Sequence, residues 1–112
     1  MDVNNIWKWS ATETAEAVKN KKISALDSVE SSIARLDEIN SKVNAVVVDT
    51  RKDAINAAKK INIKIKNSEP IGMLAGVPIT IKENVDVKNQ STTNGMEVFK
   101  NLIANENSPV VQ

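Results

Sequence analysis

Cysteine and histidine are both missing from the 112 residues. Without cysteine there are no disulfides, no thiolate metal sites and no sulfur nucleophile. Without histidine the chain lacks the commonest zinc ligand and the usual general base near neutral pH. Aromatic residues make up only 3%, and two of them, Trp7 and Trp9, sit together near the start. Such a pair packs against the body of the protein, is carried on a flexible terminus or forms a contact patch. An excess of one charge is missing too: 15 Lys and Arg face 14 Asp and Glu, for a net charge of +1. That balance argues against a nucleic-acid partner bound through a basic surface. No apolar run approaches the ~20 residues needed to span a bilayer. The start, Met1-Asp2-Val3-Asn4-Asn5, is polar and acidic where a secretion signal is basic and then apolar. The expectation is a cytoplasmic protein with no membrane partner. Its chemistry is left to lysine, carboxylates, hydroxyls and backbone groups.

What is present has globular proportions, with 41% apolar and 26% charged residues. The length suits one domain of modest core. The first half reads as helical. Ser10 and Glu13 have the spacing of a capping box and open a helix over about 11–20. Ser24 and Asp27 repeat that signature. Behind them Leu26, Val29, Ile33, Leu36, Ile39 and Val43 recur at spacings of three and four, the apolar stripe of a helix over about 25–40. The solvated face carries Asp27, Glu30, Arg35, Asp37 and Glu38, and Ser31-Ser32 reads as a polar flank of the same helix. The short β-branched run at 45–48 reads as a buried strand. Thr50 and Asp53 form a third capping pair for a helix over 50–66, whose stretch Ile61 to Ile65 also alternates with the period of a strand.

Glycine and proline are scarce, three of each, and all lie between Pro70 and Pro109. The second half is therefore read as strand and loop. Val77, Ile79 and Ile81 alternate with Pro78, Thr80 and Lys82, a strand over about 77–82, with Pro78 tolerated best at a sheet edge. A helical turn is expected around Met96 to Asn101. Ser108-Pro109-Val110-Val111 looks like the opening of a further helix, with the serine as cap and the proline in the first turn. The whole reads as α/β, with N-terminal helices followed by short strands of an incomplete mixed sheet.

Candidate chemistry centres on Lys82. A lysine ending a strand is ordinarily a solvated charge, and base catalysis by lysine needs burial or cationic neighbours. Two local features favour it: the preceding strand is apolar, and strand C-terminal ends are where open α/β sheets carry their sites. Glu83, Asn84 and Asp86 are placed to bond the ammonium, although those carboxylates favour its charged form. Glu83 with Asp86 is a poor cation site, since two acidic loop residues are usually solvated. Gly72-Met73-Leu74-Ala75-Gly76 lacks the lysine–hydroxyl end of a phosphate loop.

The segment Gly76-Val77-Pro78-Ile79-Thr80-Ile81-Lys82-Glu83-Asn84-Val85-Asp86-Val87 resembles the lysine segment of the amidase signature family. Thr92-Thr93-Asn94-Gly95 and Ser108-Pro109-Val110-Val111 follow it in the order usual for that family. Upstream, Ile23-Ser24-Ala25-Leu26, Val43-Asn44-Ala45 and Pro70-Ile71-Gly72 also fit. The resemblance implies hydrolysis of an amide by a Ser–Ser–Lys triad. In that scheme a neutral lysine takes a proton through one serine while a second serine attacks the carbonyl, and backbone N–H groups of a Gly/Ser-rich loop hold the oxyanion. It assigns the general base to Lys82, implies a small-molecule amide substrate and calls for no cofactor or metal. The Gly-Gly-Ser-Ser-Gly-Gly-like segment that carries the serines has no match here. Family members are several-fold longer, so 1–112 is expected to be the N-terminal part of one amidase domain, inactive alone and prone to self-association. The glutamine-hydrolysing component of a tRNA-dependent amidotransferase, its A chain, shares the lysine segment and is the second reading. A non-catalytic helical interaction module is the third.

Overall fold

The computed structural model describes residues 3–112, so Met1 and Asp2 of the polar start lie outside the described residues. The chain divides into a helical unit ending at Pro78 and a second unit, Ile79–Gln112. The helical unit opens with a kinked 3-10 segment, Val3–Lys8. Helices α1 (Ala11–Lys19), α2 (Ala25–Val43) and α3 (Arg51–Lys66) follow. Two starts are set by complete capping boxes. The Ser10 hydroxyl accepts the Glu13 N–H at 3.2 Å while the Glu13 carboxylate accepts the Ser10 N–H at 2.8 Å. Ser24 and Asp27 repeat this at 3.0 and 2.8 Å. Each box satisfies donors that a helix start leaves free. The bond from the Ser10 N–H, reinforced by the Ser10 hydroxyl, holds the Glu13 carboxyl below its ordinary value.

The third capping pair does not form. Thr50 makes no side-chain cap bond, and the Asp53 N–H goes to the Thr50 carbonyl at 3.0 Å. Arg51 anchors this end instead, with its guanidinium on Asp37 of α2 at 2.7 Å and on Asp49 at 2.6 Å. The Arg51 N–H, then its side chain, lowers the Asp49 pKa, while Asp37 and Asp49 raise that of Arg51. Asn62 of α3 completes the α2–α3 contact by accepting the Ala25 N–H at 2.9 Å. α3 runs unbroken through Ile61–Ile65, so the helical period prevails there over the alternation.

The core of this unit is Ile6, Ala17, Val18, Ile23, Ala25, Val29 and Ala58, with Trp9, Leu26, Ile33, Ile55, Ile61 and Ile65 packed around it. Gly76 lies against it at φ +84°, where an added Cβ would stand 2.8 Å from a Val18 methyl. Only glycine fits such a close approach with that backbone. Trp9 packs on the core, while Trp7 is partly exposed, with the Arg35 guanidinium 4.5 Å from its ring centre. The Ser31 hydroxyl accepts the Trp7 N–H at 3.2 Å, so this polar flank fastens the N-terminal segment to α2.

The expected α/β class requires correction: among the described residues there is no strand, only an isolated antiparallel bridge between Ser91 and Ile103. At 45–48 the cause is Asn40. α2 ends at Asn44 in the left-handed conformation, φ 47°, and the Asn40 side chain then takes the N–H groups of Ala45 and Val46 and donates to the Val46 carbonyl. Those backbone groups are occupied in a turn and unavailable to a ladder, and Val47 is 63% exposed. At 77–82 no partner strand is present among the described residues, and a lone extended segment has nothing to pair with. Ile79 there is 70% exposed. Ser108–Val111 closes as one turn, with the Val111 N–H on the Ser108 carbonyl at 2.8 Å, in place of the expected helix opening. No helix of the described residues is long and apolar enough to cross a membrane.

Candidate functional site

The lysine segment enters the second unit at Ile79. Lys82 is exposed and opens a turn in which its carbonyl accepts the Val85 N–H at 3.0 Å. Among the described residues no carboxylate lies within ion-pair distance of its ammonium. Glu83, Asn84 and Asp86 therefore do not hold it, against the expectation from their spacing. Asp86 is engaged elsewhere: its carboxylate accepts the Thr92 hydroxyl at 2.5 Å and its carbonyl accepts the Ser108 N–H at 2.9 Å.

Beyond Asp86 the chain doubles back on itself. The Asn89 N–H reaches the Ala104 carbonyl at 2.9 Å, the Ala104 N–H reaches the Gln90 carbonyl at 3.0 Å, and the Thr92 N–H reaches the Leu102 carbonyl at 3.1 Å. Asn107 accepts the Lys88 N–H at 2.8 Å, and the Ser91 hydroxyl donates to the Lys100 carbonyl at 2.6 Å. A short 3-10 turn, Glu97–Phe99, lies at the far end, within the helical turn expected around Met96 to Asn101. Thr93 turns the chain through its hydroxyl, which accepts the Gly95 N–H at 3.2 Å. The paired threonines thus serve two different ends. Thr92 buries its hydroxyl on Asp86, and Thr93 shapes the turn before Gly95.

This unit is built from hydrogen bonds. Among the described residues every buried apolar side chain belongs to the helical unit, and in the second unit the buried residue is Thr92, 8% exposed. The segment that carries Lys82 is contiguous in the sequence. The Asp86–Thr92 bond is not legible there, because hydroxyl and carboxylate are six positions apart in a loop without periodicity. No group of three or more acidic side chains converges as a cation site among the described residues, so Glu83 and Asp86 stay a pair on a loop. A cleft lined by Ile6, Trp7, Ile23, Glu30, Arg35 and Glu38 lies in the helical unit and includes no residue of the lysine segment.

The family model described as Amidase matches residues 27–112. The chain is 42% identical over 107 residues to an indoleacetamide hydrolase of Bradyrhizobium diazoefficiens, covering 96% of this chain and 20% of that protein. It is 30% identical over 112 residues to the A chain of a glutamyl-tRNA(Gln) amidotransferase of Fusobacterium nucleatum, covering 100% of this chain and 23% of that one. Among solved structures, a bacterial aryl acylamidase of the amidase signature enzymes superposes with a TM-score of 0.80 at 34% identity, over 86% of this chain and 20% of that one. The chain thus spans about a fifth of the length of these relatives. With the family match running through the second and third helices, the Lys82 segment and the Asp86–Thr92 loop, this chain belongs to the amidase family of amidase signature enzymes.

Proposed function

We propose that the chain is the lysine-bearing part of an amide hydrolase in which Lys82 is the general base. The observation that carries this reading is the segment Gly76–Val87, which lies inside the family match and ends its extended stretch on that lysine. The reaction adds water across an amide: the carbonyl–nitrogen bond breaks, and the products are a carboxylic acid and ammonia or an amine. A neutral Lys82 amine draws the proton of a serine nucleophile through a second, bridging serine, and the proton returns by the same route to the departing nitrogen. The serines and oxyanion donors come from polypeptide outside residues 1–112. That polypeptide also covers Lys82, because the neutral amine is favoured only where the ammonium is desolvated. An amide of the indoleacetamide kind is the substrate class suggested by the hydrolase that shares 42% of the aligned residues.

Two experiments test the reading. The chain replaces the matching segment of the Bradyrhizobium hydrolase, and the full-length chimera is assayed on indoleacetamide across pH. Lys82→Arg should abolish turnover with the fold retained, since guanidinium keeps the charge and does not release its proton. Lys88→Arg should leave activity in place. Retained activity in Lys82→Arg, or equal damage from Lys88→Arg, overturns the assignment. The 112-residue chain alone should hydrolyse no aliphatic or aromatic amide above background, because loss of oxyanion donors alone costs roughly 10²–10³ in rate. Turnover by the isolated chain that vanishes in Lys82→Ala would refute this.

The 30% identity to an amidotransferase chain over the full 112 residues supports a second reading, the A chain of such an enzyme. The same segment placed in the Fusobacterium protein separates the two. Support of glutamine-dependent amidation there, with no amide hydrolysis in the first chimera, would favour the amidotransferase.

A further inference from the structure

Asp86 stands at a junction of the loop that follows Lys82. The Asp86 carbonyl accepts the Ser108 N–H at 2.9 Å, and its carboxylate accepts the Thr92 hydroxyl at 2.5 Å. Thr92 is itself fixed, with its N–H on the Leu102 carbonyl at 3.1 Å and its side chain buried. Asp86 thereby ties together three stretches of the second unit: the one leading from Lys82, the one at Thr92 and the one at Ser108. The Lys82–Val85 turn is the short link between this node and the lysine. No buried apolar side chain of this unit competes with the node for control of the loop's course. A hydroxyl donating to a carboxylate belongs to the stronger class of hydrogen bond, and partial burial protects it from water.

We propose that Asp86 and Thr92 form a clasp that positions Lys82, an inference that rests on the reading of Lys82 as the base. Neither residue touches the reacting atoms. Both act through the backbone, by fixing where the extended segment ends and the return loop begins. The clasp also keeps the Asp86 carboxylate on a hydroxyl and off the ammonium. What it requires is a donor at 92 and an acceptor oxygen at 86. Thr92→Ser and Asp86→Asn preserve those groups, while Thr92→Val removes the hydroxyl at nearly constant shape.

The first measurement is amide hydrogen exchange on the full 112-residue chain. In Thr92→Val the N–H groups of Val85, Thr92 and Ser108 should exchange about tenfold faster, the effect of losing one bond to a charged acceptor. Amides of α2 should be unchanged, and Thr92→Ser should restore the wild-type pattern. Unchanged exchange at Val85 and Ser108 overturns the proposal, because the clasp then holds nothing. The second measurement uses the full-length chimera with the Bradyrhizobium hydrolase. There Thr92→Val should lower kcat by about tenfold to a hundredfold with KM nearly constant, as expected for a misplaced base, and Thr92→Ser and Asp86→Asn should recover most of it. Lys82→Arg inactive with Thr92→Val at full kcat defeats the clasp and leaves the base assignment standing. Activity in Lys82→Arg defeats the base assignment and the positioning role with it, whatever the exchange rates show.

Discussion

At the scale of single residues, the tightest constraint in the helical unit is Gly76. Its φ of +84° and the 2.8 Å approach of a Val18 methyl to the place of a Cβ leave no room for a side chain. Val18 is fully buried in the core and has nowhere to retreat. Gly76→Ala should therefore destabilise by about 1–3 kcal/mol, from left-handed backbone strain and overpacking together. Urea denaturation followed by the helical circular-dichroism signal measures this; a midpoint equal to wild type would mean that the segment is free to move off α1. Gly72, with nothing within 4 Å of its Cβ position, is the control and should tolerate alanine. Lys82 presents the opposite case. It is exposed, as the other lysines are, and its proposed role rests on the segment that carries it.

At the scale of elements, local chemistry controls where helices begin. The Ser10–Glu13 box works because the carboxylate is ionised, and the Ser10 N–H and hydroxyl lower its pKa in the folded state. A group with a depressed folded pKa contributes its stability above the unfolded value and loses it as the pH falls. The contribution should be complete above the ordinary value of 4.5 and fade as the pH drops through the lower folded value. Comparing urea midpoints of wild type and Glu13→Gln between neutral and strongly acidic pH checks the sign: the gap should shrink with acid. A gap that widened below that value would contradict the capping role. α3 starts without such a box, held by Arg51 on Asp37 and Asp49. The hydroxyl–carboxylate spacing of Thr50 and Asp53 matches those at α1 and α2, yet the cap fails because the Thr50 backbone, at φ −104° and ψ 25°, is not in the extended conformation that a cap uses.

At the scale of the whole molecule, the two units differ in what holds them together. The helical unit has an apolar core, and Ile79–Gln112 is held by hydrogen bonds while Ile79, Met96, Val98, Leu102, Ile103 and Val110 stay exposed. Apolar side chains left in water at this density favour association. Sedimentation velocity over a range of concentrations should show self-association, accompanied by binding of an apolar dye. Val98→Asp, at a side chain 79% exposed, should reduce both and leave the thermal melt of the helices unchanged. A monomer at every concentration with no dye bound would show that these side chains are covered in solution.

Read by itself, the sequence determined the helices, two of their three starts and the lysine segment. Helical bonds join residues four apart, so the stripe from Leu26 to Val43 and the pairs Ser10–Glu13 and Ser24–Asp27 contain all the information those elements need. The family, too, was legible, because Gly76–Val87 is one contiguous stretch. Tertiary structure decided the rest. Alternation at 77–82 marks which side chains share a face, but a strand exists only where a second strand lies beside it, and that partner is not specified locally. At 45–48, Asn40 claimed the backbone groups that a ladder would use, and no pattern of apolar residues announces a side chain reaching back from the preceding helix. The Ser31 bond to Trp7 and the Asp86–Thr92 bond are of the same kind: each joins groups that are distant in sequence or lie in a loop without period, so only the folded chain brings donor and acceptor together.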